Sequence, residues 1–414
     1  MFGLEAGPVA TGVVLATFAL LFVRRIGRYP VSRSVTAATG TVVLLALGIV
    51  SPQRALEAMS VQTLLLLFGM LVHVTALAQS GFYEWTATQL VTAARTPRRL
   101  TLGALALSAL LSSLALNDAT VLLLTPVLVV AAERGGTDPV PPVLAVVFGA
   151  NIGSVATPLG NPQNAFILAE SDLTTLEFIA ALAPVAVVCL LIAGAFLLPK
   201  TERGRILETP VSSDVVRSGT DEGGFDRAWA ATSVAFVLGT FVLLVALPDV
   251  GVGTIAASTA IVHLAWLQGF RRVAGDDVFA DVDWSVLVLF GGLFALVAGL
   301  DGTALLEAVE AVSGGSQLAI ATFGLSNLVS NVPAVVLLAA AIPEAATADW
   351  LMLAAVSTLA GNATPIASAA TLLTLEAAAD MEVRVPLREL LVLGIPLSIV
   401  TSVIAVGMLS VMVG

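Results

Sequence analysis

Long apolar stretches separated by short polar turns run through the whole chain. They have 16 to 30 residues, and a helix needs about 20 to cross the hydrocarbon core of a bilayer. The apolar runs are continuous and do not alternate with polar residues, so the pattern disfavours an outer-membrane β-barrel. The predicted crossings lie near residues 8–23, 35–50, 61–79, 141–170, 179–198, 227–246, 253–270, 284–300, 349–378 and 388–412.

Two further apolar segments turn back in their middle. The first, 100–132, turns at Asn117, and the second, 317–343, turns at Asn331. Each limb has about 12–16 residues, which is too short to span a bilayer comfortably. We therefore predict two re-entrant hairpins, each of which enters and leaves on the same side of the membrane.

The two halves of the chain carry matching motifs in the same order. Leu-Phe-Gly at 67–69 corresponds to Leu-Phe-Gly at 289–291, and a hairpin and an Ala-Thr-Pro motif follow in each half. Each unit has five crossings and one hairpin, and an odd number of crossings forces the second unit to be inverted. The predicted fold is an all-α polytopic membrane protein of two inverted repeats, at 1–199 and 227–414, joined by a cytoplasmic linker at 200–226.

Helix-breaking motifs interrupt two of the apolar stretches. Thr157-Pro158 lies in the middle of 141–170, and Thr364-Pro365 lies in the middle of 349–378. Proline donates no backbone hydrogen bond, and its ring clashes with the preceding turn. At membrane depth, such a break is tolerated only where the freed backbone is buried in protein or faces water. Matched broken helices in the two halves indicate the substrate site of a secondary transporter.

Composition places the chain among helical membrane proteins. Of its 414 residues, 58% are hydrophobic and 11% are charged, and the mean hydropathy is +1.00. These values exclude a soluble globular protein and make the lipid bilayer an obligatory partner. The net charge is −11, so a nucleic acid is not an expected partner. The single cysteine, Cys189, excludes both an internal disulfide and a thiolate metal cluster.

The basic residues predict the orientation. With the N-terminus and C-terminus both outside, every Lys and Arg except Arg54 falls in a cytoplasmic segment. Such segregation is what the positive-inside rule requires, and a wrong number of crossings would scramble it. We predict a multi-pass protein of the cell membrane in this orientation.

Polar residues at the hairpin turns and the helix breaks form the candidate substrate and ion site. The two turns are expected to meet near the midplane and to face the breaks, where free N–H and C=O groups attract ions. The alternative is that these residues only join helices by hydrogen bonds. The first half contributes Asn117, Asp118, Thr120, Asn151, Thr157, Gly160, Asn161 and Asn164. The second half contributes Ser326, Asn327, Ser330, Asn331, Asn362, Thr364 and Ser368.

Asp118 is the only carboxylate well inside a predicted intramembrane segment, and Val332 occupies the matching place in the second hairpin. A charge at the bilayer centre costs at least ~2.5–3.5 kcal/mol and is functional by default. No intramembrane Lys or Arg is predicted to pair with Asp118. The residue is therefore predicted to couple transport to a proton or a cation, and the alternative is a helix cap. His73 and His263 also lie in predicted crossings, but they rank below Asp118 because membrane histidines often only join helices.

Several of these motifs resemble the ion transporter superfamily, which is the citrate-transporter-like, arsenite permease and divalent anion permease group. The first hairpin sequence NDATVLLLTPV, at 117–127, is similar to that of arsenite permeases. The broken helix GANIGSVATPLGNPQNAFI, at 149–167, resembles that of anion permeases. SNVPAVVL at 330–337 and AGNATPIASAATLL at 360–373 are similar to second-half motifs of the same group. The resemblance implies substrate and ion sites at the hairpin tips and a homodimer whose transport units move like elevators.

The residues and the resemblance together predict a secondary active transporter of the arsenite/anion permease type, coupled to H⁺ or Na⁺. The first alternative is a sodium/proton antiporter of the NhaD type, with Na⁺ at Asn117, Asp118 and Asn331. The second is a sodium-coupled dicarboxylate or oxyanion permease, in which Asp118 is protonated or bound to sodium. No cofactor and no other metal site are expected.

A passive channel is not excluded by the sequence, although it would not need two matched hairpins. An intramembrane enzyme is disfavoured, because the chain has neither a His-Glu-x-x-His nor a Gly-x-Gly-Asp motif. It also has no Gly-x-x-x-x-Gly-Lys loop, so ATP would have to act through a partner subunit.

Overall fold

The structure of the chain is a computed structural model that describes residues 6–23, 25–26, 29–201, 224–271, 275–312, 314–344 and 346–413. Its first half contains α1 Ala6–Phe22, α2 Arg33–Ala46, α3 Pro52–Glu57, α4 Val61–Gln79, α5 Phe82–Ala93, α6 Pro97–Leu114, α7 Asn117–Arg134, α8 Val140–Ser154, α9 Pro162–Glu170 and α10 Thr175–Leu197. Its second half contains α11 Arg227–Ala246, α12 Val252–Trp266, α13 Gly275–Asp281, α14 Trp284–Ala298, α15 Ala304–Glu310, α16 Gly315–Val329, α17 Asn331–Ala339, α18 Thr347–Ala360, α19 Ala369–Asp380 and α20 Leu387–Met412.

Four short elements complete the described chain. A 3₁₀ turn, Leu198–Lys200, follows α10, and a π-helical turn, Leu267–Arg271, follows α12. Strands β1 Arg25–Ile26 and β2 Tyr29–Pro30 form a small antiparallel pair in which Arg25 lies opposite Pro30. Everything else of regular structure in the described residues is helical, as the all-α prediction requires.

Apolar helices occur at each of the ten predicted crossings. Five described helices are long and apolar enough to cross by themselves: Val61–Gln79, Thr175–Lys200, Arg227–Ala246, Val252–Phe270 and Leu387–Met412. The bent pair α13 and α14, with an angle of 58°, gives a sixth. The other four predicted crossings contain shorter apolar helices, Gly7–Leu21, Arg33–Ala46, Val140–Ser154 and Thr347–Ala360.

The first hairpin, formed by α6 and α7, has longer limbs than the 12–16 residues predicted. Each limb has 18 residues, or about 27 Å of helix. The helix α6 begins early because Thr96 caps it, accepting a hydrogen bond from the backbone N–H of Arg99 at 3.2 Å. The helix α7 continues through Pro126 to Arg134. The apolar pattern therefore underestimated the limbs, because their ends are polar but still helical.

The second hairpin, formed by α16 and α17, has limbs of 15 and 9 residues. Its tip is Ser330, whose backbone φ is 81°. A side chain with a Cβ rarely adopts this left-handed conformation, which here reverses the chain within one residue.

Both predicted helix breaks are present. Residues 155–161 separate α8 from α9, and residues 361–368 separate α18 from α19. The helix α9 restarts with Asn161 as its cap, whose side-chain oxygen accepts from the N–H of Asn164 at 2.8 Å, and with Pro162 in its first turn. Proline is favoured there because its missing N–H is not needed.

The proposed division into two repeats with a linker at 200–226 stays a prediction. Most of that linker, residues 202–223, lies outside the described residues. The membrane orientation of the repeats and of the termini also stays a prediction.

Candidate functional site

The two hairpin tips line one cavity of about 260 Å³. The first tip contributes Asn117 and Asp118, and the second contributes Ser330 and Asn331. Ser368, from the break before α19, lines the same cavity. Five residues predicted from two distant parts of the sequence therefore surround one space.

Each tip is held by the helix break of its own half. The backbone N–H of Asn117 donates to the carbonyl of Gly160 at 3.0 Å, and that of Asn331 donates to the carbonyl of Ala367 at 3.0 Å. Gly160 and Ala367 each lie three residues after the Thr of their Ala-Thr-Pro motif. The two halves thus hold their tips by the same hydrogen bond.

A second pair of bonds repeats in the same way. The hydroxyl of Thr157 donates to the carbonyl of Ser113 at 2.5 Å, and the hydroxyl of Thr364 donates to Oδ1 of Asn327 at 3.1 Å. Ser113 and Asn327 each lie four residues before the tip residue Asn117 or Asn331. The threonines of the breaks therefore attach to the first limbs of the hairpins and do not line the cavity.

Buried amides connect the two halves behind the cavity. Nδ2 of Asn151 donates to Oδ1 of Asn362 at 3.1 Å and to Oγ1 of Thr371 at 3.0 Å, while Oγ of Ser368 donates to Oδ1 of Asn151 at 2.9 Å. Asn151, Asn362 and Thr371 are fully buried. Buried hydrogen-bond networks of this kind favour one geometry, since breaking one bond leaves another buried group unpaired.

A neighbouring network holds the first break. Nδ2 of Asn161 donates to Oγ1 of Thr358 at 3.2 Å, and Nδ2 of Asn164 donates to the carbonyls of Ser154 at 2.9 Å and Thr157 at 3.2 Å. These amides satisfy backbone groups that the interrupted helix leaves open. Asn161 and Asn164 therefore support the site and do not line its cavity.

Three predicted residues have other surroundings. Gly160 lies against the backbone of Ser154, so a Cβ there would approach the Cα of Ser154 to 2.6 Å. Thr120 is fully buried on α7, and it does not line the cavity. Ser326 is fully buried on α16, where its carbonyl accepts from the N–H of Ser330 at 3.1 Å.

Charged residues missed by the sequence reasoning also line the cavity. Arg33 from the start of α2, Asp283 before α14 and Glu376 on α19 join Asp118 there. Arg33 lies at the start of α2, which the sequence predicts as a cytoplasmic end, and it lines the same cavity as Asp118. Arg33 also donates to the carbonyl of Ile366 in the second break at 3.5 Å. The lining has three carboxylates and one guanidinium, so it favours cations or neutral solutes over multiply charged anions.

Some buried polar atoms near the tips have no hydrogen-bond partner. They are Oδ1 of Asn117, Oγ of Ser326 and Nδ2 of Asn362. Buried polar groups are almost always paired, and exceptions concentrate at functional sites. Asn117 lines the cavity, and its unpaired Oδ1 is an acceptor of the kind that a hydroxyl group or a hard cation binds.

The residues proposed for sodium, Asn117, Asp118 and Asn331, come together on the same cavity. They supply oxygen ligands of the type that hard cations prefer. Among the described residues, no group of three or more His, Cys, Asp and Glu side chains is arranged to hold a metal ion.

A second cavity of about 290 Å³ lies at the other end of α14. Its mouth carries Arg54, Asp301, Glu170 and Glu344. Arg54 donates to Asp301 at 2.6 Å, and this bond raises the pKa of the guanidinium above its ordinary value. Arg54 is also the one basic residue predicted on the outer side, so the two cavities lie toward opposite predicted faces of the membrane.

Three phenylalanines lie between the two cavities. Phe290 of α14 lines the first cavity, and Phe166 of α9 and Phe294 of α14 line the second. Their ring centroids are 5.7–6.1 Å apart. Helices α9, α14 and α17 line both cavities, so these rings form an apolar barrier along one path.

Phe166→Ala is expected to raise passive proton leak through the protein severalfold, because it removes the ring that contacts both other phenylalanines. The measurement is the decay of a pH gradient in liposomes that contain the purified protein. Phe178→Ala is the matched control, because Phe178 is fully buried on α10 and lines neither cavity. Equal leak from both variants would mean that the rings are ordinary core.

Broken helices, paired hairpin tips on one cavity and a barrier to a second cavity define the class as a membrane solute transporter. The chain belongs to the citrate transporter family, whose model matches residues 18–360. This result confirms the predicted ion transporter superfamily, and it makes the chain a transporter and not an enzyme.

Several proteins are similar over most of this chain. A "46 kDa membrane protein" of Mycobacterium leprae is 28% identical, covering 96% of both chains. The "silicon efflux transporter LSI3" of Oryza sativa subsp. japonica is 28% identical, covering 90% of both.

Two solved structures share the fold. The YdaH transporter of Alcanivorax borkumensis matches with a TM-score of 0.53 and 15% identity, covering 99% of this chain and 98% of that one. MtrF of Neisseria gonorrhoeae, described within a class of antimetabolite efflux pumps, matches with a TM-score of 0.56 and 14% identity, covering 99% and 95%. At these identities the likeness concerns the fold alone.

Proposed function

We propose that the chain is a secondary active transporter of the arsenite/anion permease type that carries a small, uncharged inorganic hydroxide and is coupled to protons or cations through Asp118. The observation that carries the proposal is the single cavity shared by Asn117, Asp118, Ser330 and Asn331. Amides and hydroxyls bind hydroxide groups by hydrogen bonds, and the carboxylate beside them exchanges a proton or binds a cation.

The charge of the cavity supports a neutral substrate. Asp118, Asp283 and Glu376 face one guanidinium, that of Arg33. A dicarboxylate or an oxyanion would meet a net negative lining, which costs affinity through like-charge repulsion. Arsenite at neutral pH is largely an uncharged hydroxide. The rice relative is named a silicon efflux transporter, and silicon in neutral water is also an uncharged hydroxide.

A sodium/proton antiporter is the second candidate, and the same negative lining favours it. Asn117, Asp118 and Asn331, whose side chains carry amide and carboxylate oxygens, line the same cavity. In that case the cation is itself the substrate, and Asp118 binds a proton and the cation in turn. A sodium-coupled dicarboxylate or oxyanion permease remains the third candidate.

The hydrogen bonds around the cavity support an elevator-like movement. The tips are bonded to the breaks by Asn117 and Asn331, and the second break is bonded to α8 of the first half by Asn151. The contacts of Phe166 with α14, by contrast, are between apolar rings. The tips and the breaks thus form one unit that hydrogen bonds hold together, and Phe166 contacts the neighbouring α14 through apolar rings. Such a unit is suited to sliding past α14 as one body. A homodimer is part of the same proposal.

The proposal is tested by adding solutes to proteoliposomes that contain a pH-sensitive dye. Arsenite, silicic acid, sodium, lithium, sulfate and citrate are added in turn. We expect arsenite or silicic acid to cause a pH change or a response that depends on a cation. We expect no response to sulfate or citrate. A response to sodium or lithium alone would make the protein an antiporter, and a response to citrate would favour the third candidate. Liposomes without protein are the control.

A further inference from the structure

The two histidines of the chain form one hydrogen-bonded pair. His73 of α4 and His263 of α12 are 190 residues apart in sequence, and their Nδ1 atoms are 3.0 Å apart. Both are buried, with 4% and 0% of their surfaces exposed. Neither lines the cavity at the hairpin tips. The mechanism proposed above therefore leaves two adjacent titratable groups unused.

Hydroxyl groups continue the pair at both ends. Oγ of Ser233 is 3.0 Å from Nε2 of His263, and the hydroxyls of Thr240 and Thr259 are 3.1 and 3.2 Å from Nε2 of His73. The result is a continuous hydrogen-bonded chain. It begins at Ser233 of α11, passes through the imidazoles of His263 and His73, and ends at Thr240 of α11 and Thr259 of α12.

The acceptors available to the threonine hydroxyls favour one tautomer of His73. The hydroxyl of Thr240 has the carbonyl of Phe236 at 2.8 Å and Oγ1 of Thr259 at 2.9 Å, and the hydroxyl of Thr259 has the carbonyls of Ile255 and Ala256, both at 3.0 Å. A hydroxyl has one hydrogen, so a threonine that donates to one of these acceptors can only accept from the ring. This arrangement favours the tautomer in which His73 carries its hydrogen on Nε2 and accepts at Nδ1.

The tautomer of His263 follows from that of His73. Since Nδ1 of His73 accepts, Nδ1 of His263 carries the hydrogen, and its Nε2 accepts from Ser233. In the described part of the chain, Ser233 has no other recorded hydrogen bond, so its hydrogen is available for this purpose. The neutral pair thus has one basic lone pair, Nε2 of His263, with a rotatable hydroxyl beside it.

We propose that His73 and His263 form a buried site for one proton, which binds at Nε2 of His263. Binding of the added proton requires one change. The hydroxyl of Ser233, which had donated to Nε2 of His263, rotates so that its oxygen accepts a hydrogen bond from that nitrogen. Every other bond in the chain is kept. A second proton would place hydrogens on both Nδ1 atoms and break the bond between the rings, so the pair holds a single added proton.

The ring of Phe236 supports a positive charge at this place. It stacks on His263 with the ring centroids 4.5 Å apart and the planes inclined by 19°. A cation over an aromatic face is stabilised by the ring quadrupole, and more so away from water. The hydroxyls of α11 and α12 also face the pair. The small space beside His73 is otherwise lined by apolar residues, which are Met70, Val74, Leu114, Ala115, Leu159, Val237 and Ala256.

The position of the pair connects it to transport, and this step rests on the proposed function. His73 and Thr240 line a small space with Leu114 and Ala115, directly before the first hairpin tip, and with Leu159 of the first break. Movement of that hairpin would change the surroundings of His73. We infer that the pair binds and releases one proton as the hairpin moves.

The first test is NMR of the full-length protein labelled with ¹⁵N only in histidine, in lipid nanodiscs and with an affinity tag that contains no histidine. Two rings give an assignable spectrum, and His73→Gln assigns it. We expect hydrogens on Nε2 of His73 and on Nδ1 of His263, a coupling between the two Nδ1 atoms, and uptake of one proton as the pH is lowered. The same tautomer in both rings, or uptake of two protons, would overturn the proposal.

The second test measures protons moved per solute in proteoliposomes. Ser233→Ala and His263→Gln are expected to lose the proton bound by the pair, while Ser398→Ala is expected to keep it. Ser398 is an equally buried serine whose hydroxyl bonds to Leu359 at 2.8 Å, far from the pair in sequence. Unchanged proton movement in His263→Gln would refute the role in transport. If no solute moves at all, the proposed function fails, and the NMR result still decides whether the proton site exists.

Discussion

Asp118→Asn is expected to abolish coupled transport while leaving the protein folded. Asparagine has nearly the same size, so the hairpin tip keeps its shape, but it neither exchanges a proton nor carries a charge. Removing a positioned proton-transferring group costs about 100-fold or more in rate. The measurement is the initial rate of solute-driven pH change in proteoliposomes, with protein recovery and the thermal midpoint followed in parallel.

Two further carboxylates serve as comparisons for Asp118. Asp281→Asn is the control, because Asp281 lies at the end of α13, outside the first cavity, where it accepts a bond from Gln79 at 2.6 Å. Glu376→Gln changes the same cavity but not the tip, and a smaller loss of rate is expected. Full transport by Asp118→Asn would assign Asp118 to capping the hairpin helix and remove it from coupling.

Gly153→Val is expected to prevent stable folding. A Cβ at Gly153 would overlap the backbone of Ala109 on α6, and a Cβ at Gly149, one helical turn earlier, would overlap the carbonyl of Leu105. Small residues spaced in this way let membrane helices approach backbone to backbone. Because backbone atoms cannot rotate away, we expect a loss of about 3 kcal/mol or more.

The matched control for this substitution is Gly239→Val. Gly239 lies in α11, and a Cβ there would have no neighbour within 4 Å. The measurement is the yield of monodisperse protein in detergent and its thermal midpoint. Similar behaviour of the two variants would contradict the close packing of α6 on α8.

The features of the site that sequence predicts are those encoded locally. A Thr-Pro pair followed by small and amide residues breaks a helix, so the breaks at Thr157 and Thr364 were predictable; Thr125-Pro126, which apolar residues follow, stays inside α7. The reversal at Asn331 within an apolar segment was predictable for a similar reason. The repetition of these signals in both halves made it possible to expect the two tips in one place, and they do share a cavity.

The missed features depend on contacts between distant segments. Arg33 was assigned to a cytoplasmic end, and only the packing of α2 beside the tips brings it to the cavity. His73 and His263 were weighed separately, because nothing near either residue predicts a partner 190 positions away. Phe166 and Phe290 looked like ordinary lipid-facing or core residues, since apolar patterning does not distinguish a barrier from a core.

The most direct test of the central claim, that the cavity at the hairpin tips is the transport site, is site-directed thiol labelling. Cys189→Ala removes the only native cysteine, and Val332→Cys then places a single thiol on the cavity, at the position matching Asp118. Ala340→Cys, on the second cavity, is the partner variant. We predict that the thiol at 332 is labelled from the cytoplasmic side and the thiol at 340 from the outer side, and that transported solute slows labelling at 332. Labelling at 332 that is unaffected by any transported solute would contradict the account.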